Sequence, residues 1–345
     1  MINNFFAIKY SPIIIVSTVV LLITSCTSKQ NSIDVSNIKI EQKHLRFEKE
    51  LFESKDSITI EKVQQLRNTY GTFFNLFVSR IIHLPPANDS ALAINLNSFV
   101  FDRDVEAISE HTKKVFTEEE LKNVYAGIES FFKHYKYYFP KKNIPDVVTY
   151  ISAFNYNVVT TDSVLGIGLD MYLGGECEFY PSLEIPQYMY KKYSKQYLVN
   201  DCIKGWFQSE YDVDLVKKEL LSQMMYYGKL LYFTDAMAPE MNDTIKIGYT
   251  VEQLKWSKEN ESQMWAYFLE QKLLYNTSEL QYMKFISDGN TTQGFPKGSP
   301  AKTAQYIGWQ IVKSYMKKND VSLQQLLDEK DAQKILNESG YKPGQ

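Results

Sequence analysis

Apolar positions recur at helical spacing over much of the chain, and this pattern predicts a mainly helical protein. In residues 60–81 the apolar side chains fall three or four positions apart, and the pattern ends before a Pro-Pro pair. Thr117 and Glu120 have the spacing of a capping box, which predicts a helix that begins there and stops by Pro140. Two further helical patterns cover residues 213–235 and 259–275.

Two capping signals predict helix starts near the C-terminus. Ser299 followed by Pro300 has the order of an N-cap and a proline at the first helical position. Ser322 and Gln325 form a second capping box. We therefore expect one helix to begin directly after Ser299 and a last short helix to begin after Ser322.

The middle of the chain has the composition of short strands. Residues 147–154 and 156–160 are rich in β-branched and aromatic side chains, and Asn155 separates them. Residues 38–52 alternate weakly between apolar and polar positions, which predicts that this segment begins as an edge strand. The predicted fold class is α+β, predominantly α-helical, with a small central strand region in a single large domain.

The N-terminus indicates export. An apolar run at residues 12–23 follows a start that carries one lysine, and the run is too short for the roughly 20 residues that a spanning helix needs. The order Ile23-Thr24-Ser25-Cys26 resembles the bacterial lipobox, which implies a lipoprotein signal peptide over residues 1–25 and acylation of Cys26, for example with palmitate. The polar residues 26–36 are predicted to tether a globular domain, residues 37–345. An ordinary signal peptide with an incidental cysteine is the alternative.

Charge and cysteine content narrow the class of protein further. The net charge is −3 and no long block of lysine and arginine occurs, so we expect no nucleic-acid partner. The 25 tyrosines and 20 phenylalanines suit both a core edge and a recognition surface. Cys177 and Cys202 form a disulfide in the oxidising envelope or remain two buried thiols, and their spacing favours neither.

No motif predicts a catalytic residue, a metal or a cofactor. The four histidines lie far apart along the chain, with no HExxH spacing, and no GxSxG motif occurs. The segment GIGLDMYLGG, residues 166–175, lacks the spacing of a dinucleotide or phosphate loop. Its glycines favour turns at both ends of one short element. Asp170 as a cation ligand is the less favoured interpretation.

The segment around residues 220–235 is apolar on nearly every face, which predicts a buried helix. Lys229 and Asp235 lie within it and need partners, because unpaired buried charge is unfavourable. Either Lys229 reaches the surface along its own stem, or it lines a polar groove together with Asp235 and nearby tyrosines.

Several blocks of the chain resemble a known family. The blocks are GLDMYLG, YYGKLLYFTDAMAP, KIGYTVEQLKW, NESQMWAYF and SPAKTAQYIGWQIVKSYM. In this order they resemble the gliding-motility lipoprotein GldB of Bacteroidota, and the resemblance extends from about residue 38 to residue 343. It implies an envelope lipoprotein associated with gliding motility. The residues after Cys26 lack the acidic cluster associated with surface export in that phylum, so we expect a periplasm-facing protein.

That family is also distantly similar to zinc peptidases that have an HExxH helix followed by a Glu-Gly-Lys helix. The glutamate position of the second helix corresponds to Tyr227 here, and the region comparable to the first helix, residues 198–206, contains no histidine. Because a hydrolytic zinc needs three protein ligands, the similarity implies a degenerate zincin-like scaffold whose metal site is absent.

These observations predict a lipid-anchored envelope protein that acts by binding an envelope protein of the gliding machinery rather than by catalysis. The candidate groove residues are polar or aromatic groups in apolar segments: Asp170, Tyr227, Lys229, Tyr232, Asp235, Tyr249, Trp256, Glu261, Trp265 and Trp309. The competing hypothesis is a metal-dependent hydrolase with an unrecognised site, in which Asp170 and Glu261 form the first acid–base pair to test. A third is a structural lipoprotein needed for assembly of its neighbours.

Overall fold

A mixed four-stranded sheet separates two layers of helices in the computed structural model, which describes residues 33–53, 57–296 and 298–344. The order across the sheet is β1-β2-β4-β3, and the β1–β2 and β2–β4 pairs are parallel whereas β3 and β4 are antiparallel. The described residues belong to one compact unit. The strands are β1 (His44–Arg46), β2 (Asp146–Tyr150), β3 (Val158–Thr160) and β4 (Val164–Gly168).

Side chains of the central strands alternate between the two layers, as the pleat of a strand requires. Val148 and Tyr150 pack with the N-terminal helices into a small aromatic cluster. Val147, Leu165 and Ile167 point to the opposite face and join the larger core. Both faces of the sheet are therefore covered, which explains why β2 is apolar along most of its length.

The small layer consists of α1 (Phe47–Phe52), α2 (Ile60–Leu76) with a π turn (Phe77–Ile81), and α3 (Asp89–Val100). The large layer contains most of the other helices. In chain order the remaining helices are α4 (Arg103–Val115), α5 (Glu118–Tyr138), α6 (Gln187–Tyr190), α7 (Lys195–Glu210), α8 (Leu220–Met237), α9 (Asp243–Ile247), α10 (Val251–Glu259), α11 (Glu261–Glu270), α12 (Glu279–Ile286), α13 (Thr303–Lys318), α14 (Leu323–Asp328) and α15 (Ala332–Ser339).

The predicted fold class is confirmed, and several helix predictions agree with the structure. The helix predicted at residues 60–81 is present, with a kink at Gly71 and a π turn as its last five residues. Thr117 accepts a hydrogen bond from the backbone N–H of Glu120 at 3.3 Å and so caps α5. The capping box at Ser322 is formed in full and opens α14.

Three helix boundaries differ from the prediction. The segment 213–235 begins as a 3-10 turn, Val213–Leu215, and α8 starts only at Leu220. The segment 259–275 contains the junction of two helices, because α10 ends at Glu259 and α11 begins at Glu261. The start predicted after Ser299 is wrong, since α13 begins at Thr303.

The strand predictions are correct in place but not in length. Only His44–Arg46 of the segment 38–52 is a strand; it lies at the sheet edge, and the chain then turns into α1. The segment 147–154 leaves the sheet after Tyr150, and the one at 156–160 enters it only at Val158.

The first glycines of the segment GIGLDMYLGG lie in a strand, so the turn predicted at this end is wrong, whereas the turn predicted at the other end is present at Gly175. Gly166 and Gly168 belong to β4, which continues into a 3-10 turn, Leu169–Tyr172. A Cβ atom on Gly168 would lie 2.1 Å from the carbonyl oxygen of Tyr156. The strand needs glycine there because the backbone of the preceding loop crosses directly over it.

Two further predictions concern cysteines and the N-terminus. Cys177 and Cys202 are both free and buried, so the disulfide alternative is not realised. The predicted signal peptide, Cys26 and the tether as far as residue 32 lie outside the described residues. Within the described ranges, no helix combines the length and the apolar character that crossing a bilayer requires.

Candidate functional site

A pocket of about 270 Å³ opens where three separate segments meet. The first segment contains α6 and the start of α7 and contributes Tyr188, Lys192 and Tyr197. The second is the junction of α9 and α10, and the third is the loop between α12 and α13. The pocket wall therefore depends on residues that are about 100 positions apart in the chain.

Lysines dominate the charged groups of the pocket. Lys191, Lys192 and Lys302 line it, and Asp288 is the one carboxylate among the lining residues that the structure describes. The Lys192 ammonium donates to both carboxylate oxygens of Asp288, at 2.6 and 2.9 Å. The Lys302 ammonium lies 3.8 Å from one of these oxygens. A single carboxylate thus faces several cations.

Lys302 occupies an unusual position at the N-terminus of α13. Its backbone has φ 58°, the left-handed region, and its side chain is only 10% exposed. The ammonium group donates to the carbonyl oxygen of Ile247 at 2.6 Å and lies 5.9 Å from the centre of the Tyr249 ring. Burial, followed by the neighbouring Lys192 ammonium, lowers the pKa of Lys302 to about 7.

A second pair of charges lies behind the pocket on α7. Burial lowers the pKa of Lys204 and raises that of Asp201, and each charge partly offsets the effect of burial on the other. Asp201 also accepts a hydrogen bond from the hydroxyl of Tyr172 at 3.1 Å. Lys204 opposes the protonation of Lys302, and Asp201 favours it. The supporting helix therefore adds one cation and one carboxylate, which have opposite effects on Lys302.

Of the ten groove residues predicted from the sequence, Tyr249 lines this pocket. Its hydroxyl donates to the carbonyl oxygen of Ala301 at 2.6 Å, which ties the start of α10 to the loop before α13. Tyr249 is itself buried, so it contributes the inner wall of the pocket.

The structure brings Asp235 and Trp309 together inside the core. The indole N–H of Trp309 donates to one oxygen of Asp235 at 2.7 Å, and the Lys246 ammonium donates to the other at 2.7 Å. Lys313 lies 3.4 Å from the carboxylate and stacks over the Trp309 ring. These polar groups join α8, α9 and α13 in a buried cluster.

Lys229 and Glu261 have partners of their own. The Lys229 ammonium donates to the backbone carbonyl oxygens of Leu327 and Glu329 at the end of α14, and burial lowers its pKa to about 8. Glu261 accepts hydrogen bonds from the hydroxyls of Tyr306 and Tyr341, at 3.0 and 2.8 Å. Both charges therefore hold C-terminal elements in place.

The remaining aromatic groove residues are partly buried and pack against the large core: Tyr227, Tyr232, Trp256 and Trp265. Trp265 makes an edge contact with the Tyr341 ring. The structure does not assemble the ten residues around one opening, and their role in binding a partner stays a prediction.

Asp170 is fully buried at the C-terminal end of β4. One of its carboxylate oxygens accepts hydrogen bonds from the backbone N–H groups of Ser152 and Phe154, at 3.1 and 2.7 Å. Its other oxygen has no hydrogen-bond partner among the described residues. Burial raises the pKa of Asp170 to about 6, against these hydrogen bonds.

The proposed acid–base pair of Asp170 and Glu261 is not a contact in the structure. Asp170 is bonded to the loop after β2, and Glu261 to tyrosines of α13 and the C-terminus. In residues 33–53, 57–296 and 298–344, no group of three or more His, Cys, Asp or Glu side chains is arranged as a metal site.

Sequence reasoning missed Lys192, Asp288 and Lys302, which form the charged centre of the pocket. The three residues share no local spacing, so no motif could place them together. The features of the sequence that could have pointed to the pocket lysines were the Lys191-Lys192 pair and the SPAK block, which contains Lys302.

The fold and the pocket define a predominantly helical α+β domain with a lysine-lined surface site. The family model described as "Gliding motility protein GldB" matches residues 28–343, and the chain belongs to this family. This confirms the resemblance found in the sequence and makes the chain a gliding-motility-associated lipoprotein. No curated protein and no solved structure matches the chain.

Proposed function

We propose that this protein is a lipid-anchored, periplasm-facing component of the gliding machinery that binds another envelope protein and does not act by catalysis. Its binding site is the pocket between α6–α7, the α9–α10 junction and the loop before α13. The observation that carries the proposal is the combination, in one surface pocket, of tyrosines with three lysines.

The size of the pocket supports a protein partner. Its volume of about 270 Å³ is at the lower limit of the roughly 300–1,000 Å³ typical of small-molecule sites. A pocket of this size suits one or two side chains inserted from a partner surface. Tyr188, Tyr197 and Gln253 line the pocket and are each partly exposed, so they offer flat apolar contacts together with hydrogen-bonding groups.

Family membership and the N-terminal sequence support the location of the protein. Acylation of Cys26 gives a mature N-terminus held in the bilayer, and the polar residues after it separate the domain from the membrane surface. An anchored protein meets envelope partners at high local concentration, so a modest pocket is sufficient for useful binding.

The predicted groove residues outside the pocket make contacts within the domain. Asp235, Lys229 and Glu261 are each held by hydrogen bonds that join helices to one another. Asp170 and Glu261, the acid–base pair of the hydrolase alternative, share no hydrogen-bond partner among the residues that the structure describes. The contacts of these residues support roles in maintaining the domain that presents the pocket.

Site-specific photo-crosslinking in cells tests the proposal. A photoreactive phenylalanine derivative at Tyr188, in the pocket, is expected to give a discrete adduct with an envelope protein that mass spectrometry then identifies. The control position is Leu215, which is 85% exposed and does not line the pocket. No adduct from Tyr188, or the same adduct from both positions, would contradict binding through this pocket.

A further inference from the structure

We propose that Lys192 and Lys302 form a subsite for an oxyanion, a carboxylate or phosphate group presented by the ligand of the pocket. This inference rests on the proposed function, because it names the chemistry that the same pocket recognises. The partner is then expected to insert an acidic side chain, a chain terminus or a phosphorylated residue between the two ammonium groups.

The two ammonium groups face the same small space. A Cβ atom on Gly248 would lie 3.2 Å from the Lys302 Nζ and 3.7 Å from the Lys192 Nζ. Both ammonium groups also approach the same Oδ2 of Asp288, at 2.6 Å from Lys192 and 3.8 Å from Lys302. The lysines already share one carboxylate, so their spacing suits a group of that shape.

The ammonium groups retain unused hydrogen-bond donors. Each lysine has three N–H groups. Among the described residues, the Lys302 ammonium donates only to the carbonyl oxygen of Ile247, because Asp288 at 3.8 Å is beyond hydrogen-bond distance. An oxyanion beside Gly248 offers acceptors to the remaining donors of Lys302 and to Lys192 together.

The charge balance of the pocket favours an additional anion. Lys191, Lys192, Lys204 and Lys302 line or support the site, and the opposing carboxylates are Asp288 and Asp201. Cations held close to one another in a partly buried site repel, and this repulsion adds to burial, the larger cause, in lowering the pKa of Lys302. A bound anion offsets the repulsion, which supplies free energy for binding.

The subsite is accessible from the pocket while being sheltered from bulk solvent. The side chain of Lys192 is 26% exposed and that of Asp288 is 36% exposed, whereas that of Lys302 is 10% exposed. An anion can therefore enter past Lys192 and reach the buried Lys302. A charge-assisted hydrogen bond is stronger in such a sheltered place than at an open surface.

Anion titration of the soluble domain, residues 28–345, tests the inference directly. The probes are sodium phosphate and sodium acetate at constant ionic strength, and the readout is the amide NMR shift of Gly248 and Gly289. Saturable shifts with either anion are expected in the wild-type domain. Tighter binding of phosphate identifies a phosphate subsite, and comparable binding of acetate identifies a carboxylate subsite.

The variants Lys192→Met and Lys302→Met are each expected to weaken binding about tenfold or more, because each removes a charged hydrogen bond. Lys255→Met, at an exposed lysine of α10, is the matched control and is expected to bind as the wild type does. Of the two subsite lysines, Lys192 is the more exposed, so Lys192→Met still tests the inference if Lys302→Met fails to fold. Absent saturation, or equal binding by folded lysine variants, would overturn the subsite.

A pH series with acetate adds an independent readout. Acetate stays ionised above pH 6. The charged or titratable groups that face Lys302 are Lys192, Lys204, Asp201, Asp288 and Tyr249. Since the pKa of Lys302 is about 7 in the free protein, affinity is expected to fall as the pH rises from 6 to 8. An affinity that does not change over this range would contradict the role of Lys302.

The crosslinking experiment separates this inference from the proposed function. If the Tyr188 adduct forms in the wild type and persists in the double variant of Lys192 and Lys302, protein binding stands and the oxyanion subsite is wrong. If the adduct is lost in that double variant and retained in Lys255→Met, protein binding and the oxyanion subsite are both supported. If the wild type gives no adduct but binds the anions, the subsite stands and the protein partner is wrong.

Discussion

The buried carboxylate of Asp170 stabilises a loop whose backbone conformation is unfavourable. The loop after β2 places Ala153 and Phe154 in the left-handed region, with φ 56° and 67°. Such conformations cost on the order of 1–3 kcal/mol each in residues other than glycine. The carboxylate of Asp170 binds the N–H groups of Ser152 and Phe154 on either side of Ala153, and this contact stabilises the loop.

Asp170 should give the domain a distinctive dependence of stability on pH. Its pKa of about 6 in the folded protein is above the value of 3.8 for a free aspartate, so the native state holds a proton that the unfolded state has lost. This proton stabilises the native state at low pH, and the contribution is lost as the pH rises from about 4 to about 6. Relative to Asp170→Asn, the wild type is expected to lose about 3 kcal/mol of unfolding free energy over this range. Urea unfolding at several pH values measures it.

Several other carboxylates have lowered pKa values, so their contribution to the free energy of unfolding increases as the pH rises. The comparison of the wild type with Asp170→Asn therefore needs a control substitution at another carboxylate. Asp162→Asn, at an exposed position next to β4, is the matched substitution. Its stability is expected to follow the wild type across the range. Parallel curves for the wild type and Asp170→Asn would show that Asp170 does not titrate between pH 4 and 6.

The central pair of helices, α8 and α13, is in direct backbone contact. A Cβ atom on Gly228 would lie 2.4 Å from the carbonyl oxygen of Gly308, and one on Gly308 would lie 2.0 Å from that of Met224. The two glycines allow the helices to approach closely, and the contacts of Asp235 with Trp309 then join the same pair. This pair positions α13, whose N-terminus carries the pocket residue Lys302.

Gly308→Ala is therefore expected to destabilise the domain by about 3 kcal/mol or more, because an added methyl group meets backbone atoms that cannot rotate away. Chemical unfolding measures the effect. Gly289→Ala is the control, since the nearest atom to its added Cβ lies at an ordinary contact distance of 3.7 Å. Similar stabilities of the two variants would contradict the close helix contact.

At the scale of the whole molecule, the pocket exists because the fold brings distant segments of the chain together. The sheet and the α8–α13 pair hold three distant segments so that their charged side chains converge. In the proposed function, the N-terminal residues attach the protein to the membrane, and the pocket, in another part of the chain, binds the partner.

Cys26→Ser is expected to abolish incorporation of a clickable palmitate analogue into the protein, because the thiol is the acylated group. Labelling in cells, followed by purification and fluorescence detection, measures it. Cys177→Ser, which removes a buried thiol of the folded domain, is expected to keep the label. Label retained in Cys26→Ser would contradict the predicted lipobox.

Local features of the fold were predictable because they depend on neighbouring residues. The periodicity of residues 60–81 and the caps at Thr117 and Ser322 act over one or two helical turns, and the structure confirms them. The start of α13 was not predictable in the same way. The sequence favours Ser299, but the N-cap residue is Lys302, whose side chain donates to the carbonyl oxygen of Ile247 in another segment.

β4 illustrates the same limit for strands. Its two glycines indicate turns when only neighbours in sequence are considered, yet parallel pairing with β2 places them in the middle of the sheet. The aromatic rings of Phe73 and Tyr150 fill the space beside Gly166. Long-range packing overrides the local preference because the buried area of those rings outweighs the weak strand propensity of glycine.

The order of residues alone specified the α+β class, the buried α8 and membership of the family, because each depends on composition or on patterns within short segments. The lysine pocket was decided in three dimensions. Lys192, Asp288 and Lys302 come from segments that lie far apart in the chain, and the packing of α7, α9, α12 and α13 around α8 brings them to one opening. The shifted pKa values of Lys302 and Asp288 follow from that convergence, since burial and neighbouring charge act through space rather than along the chain.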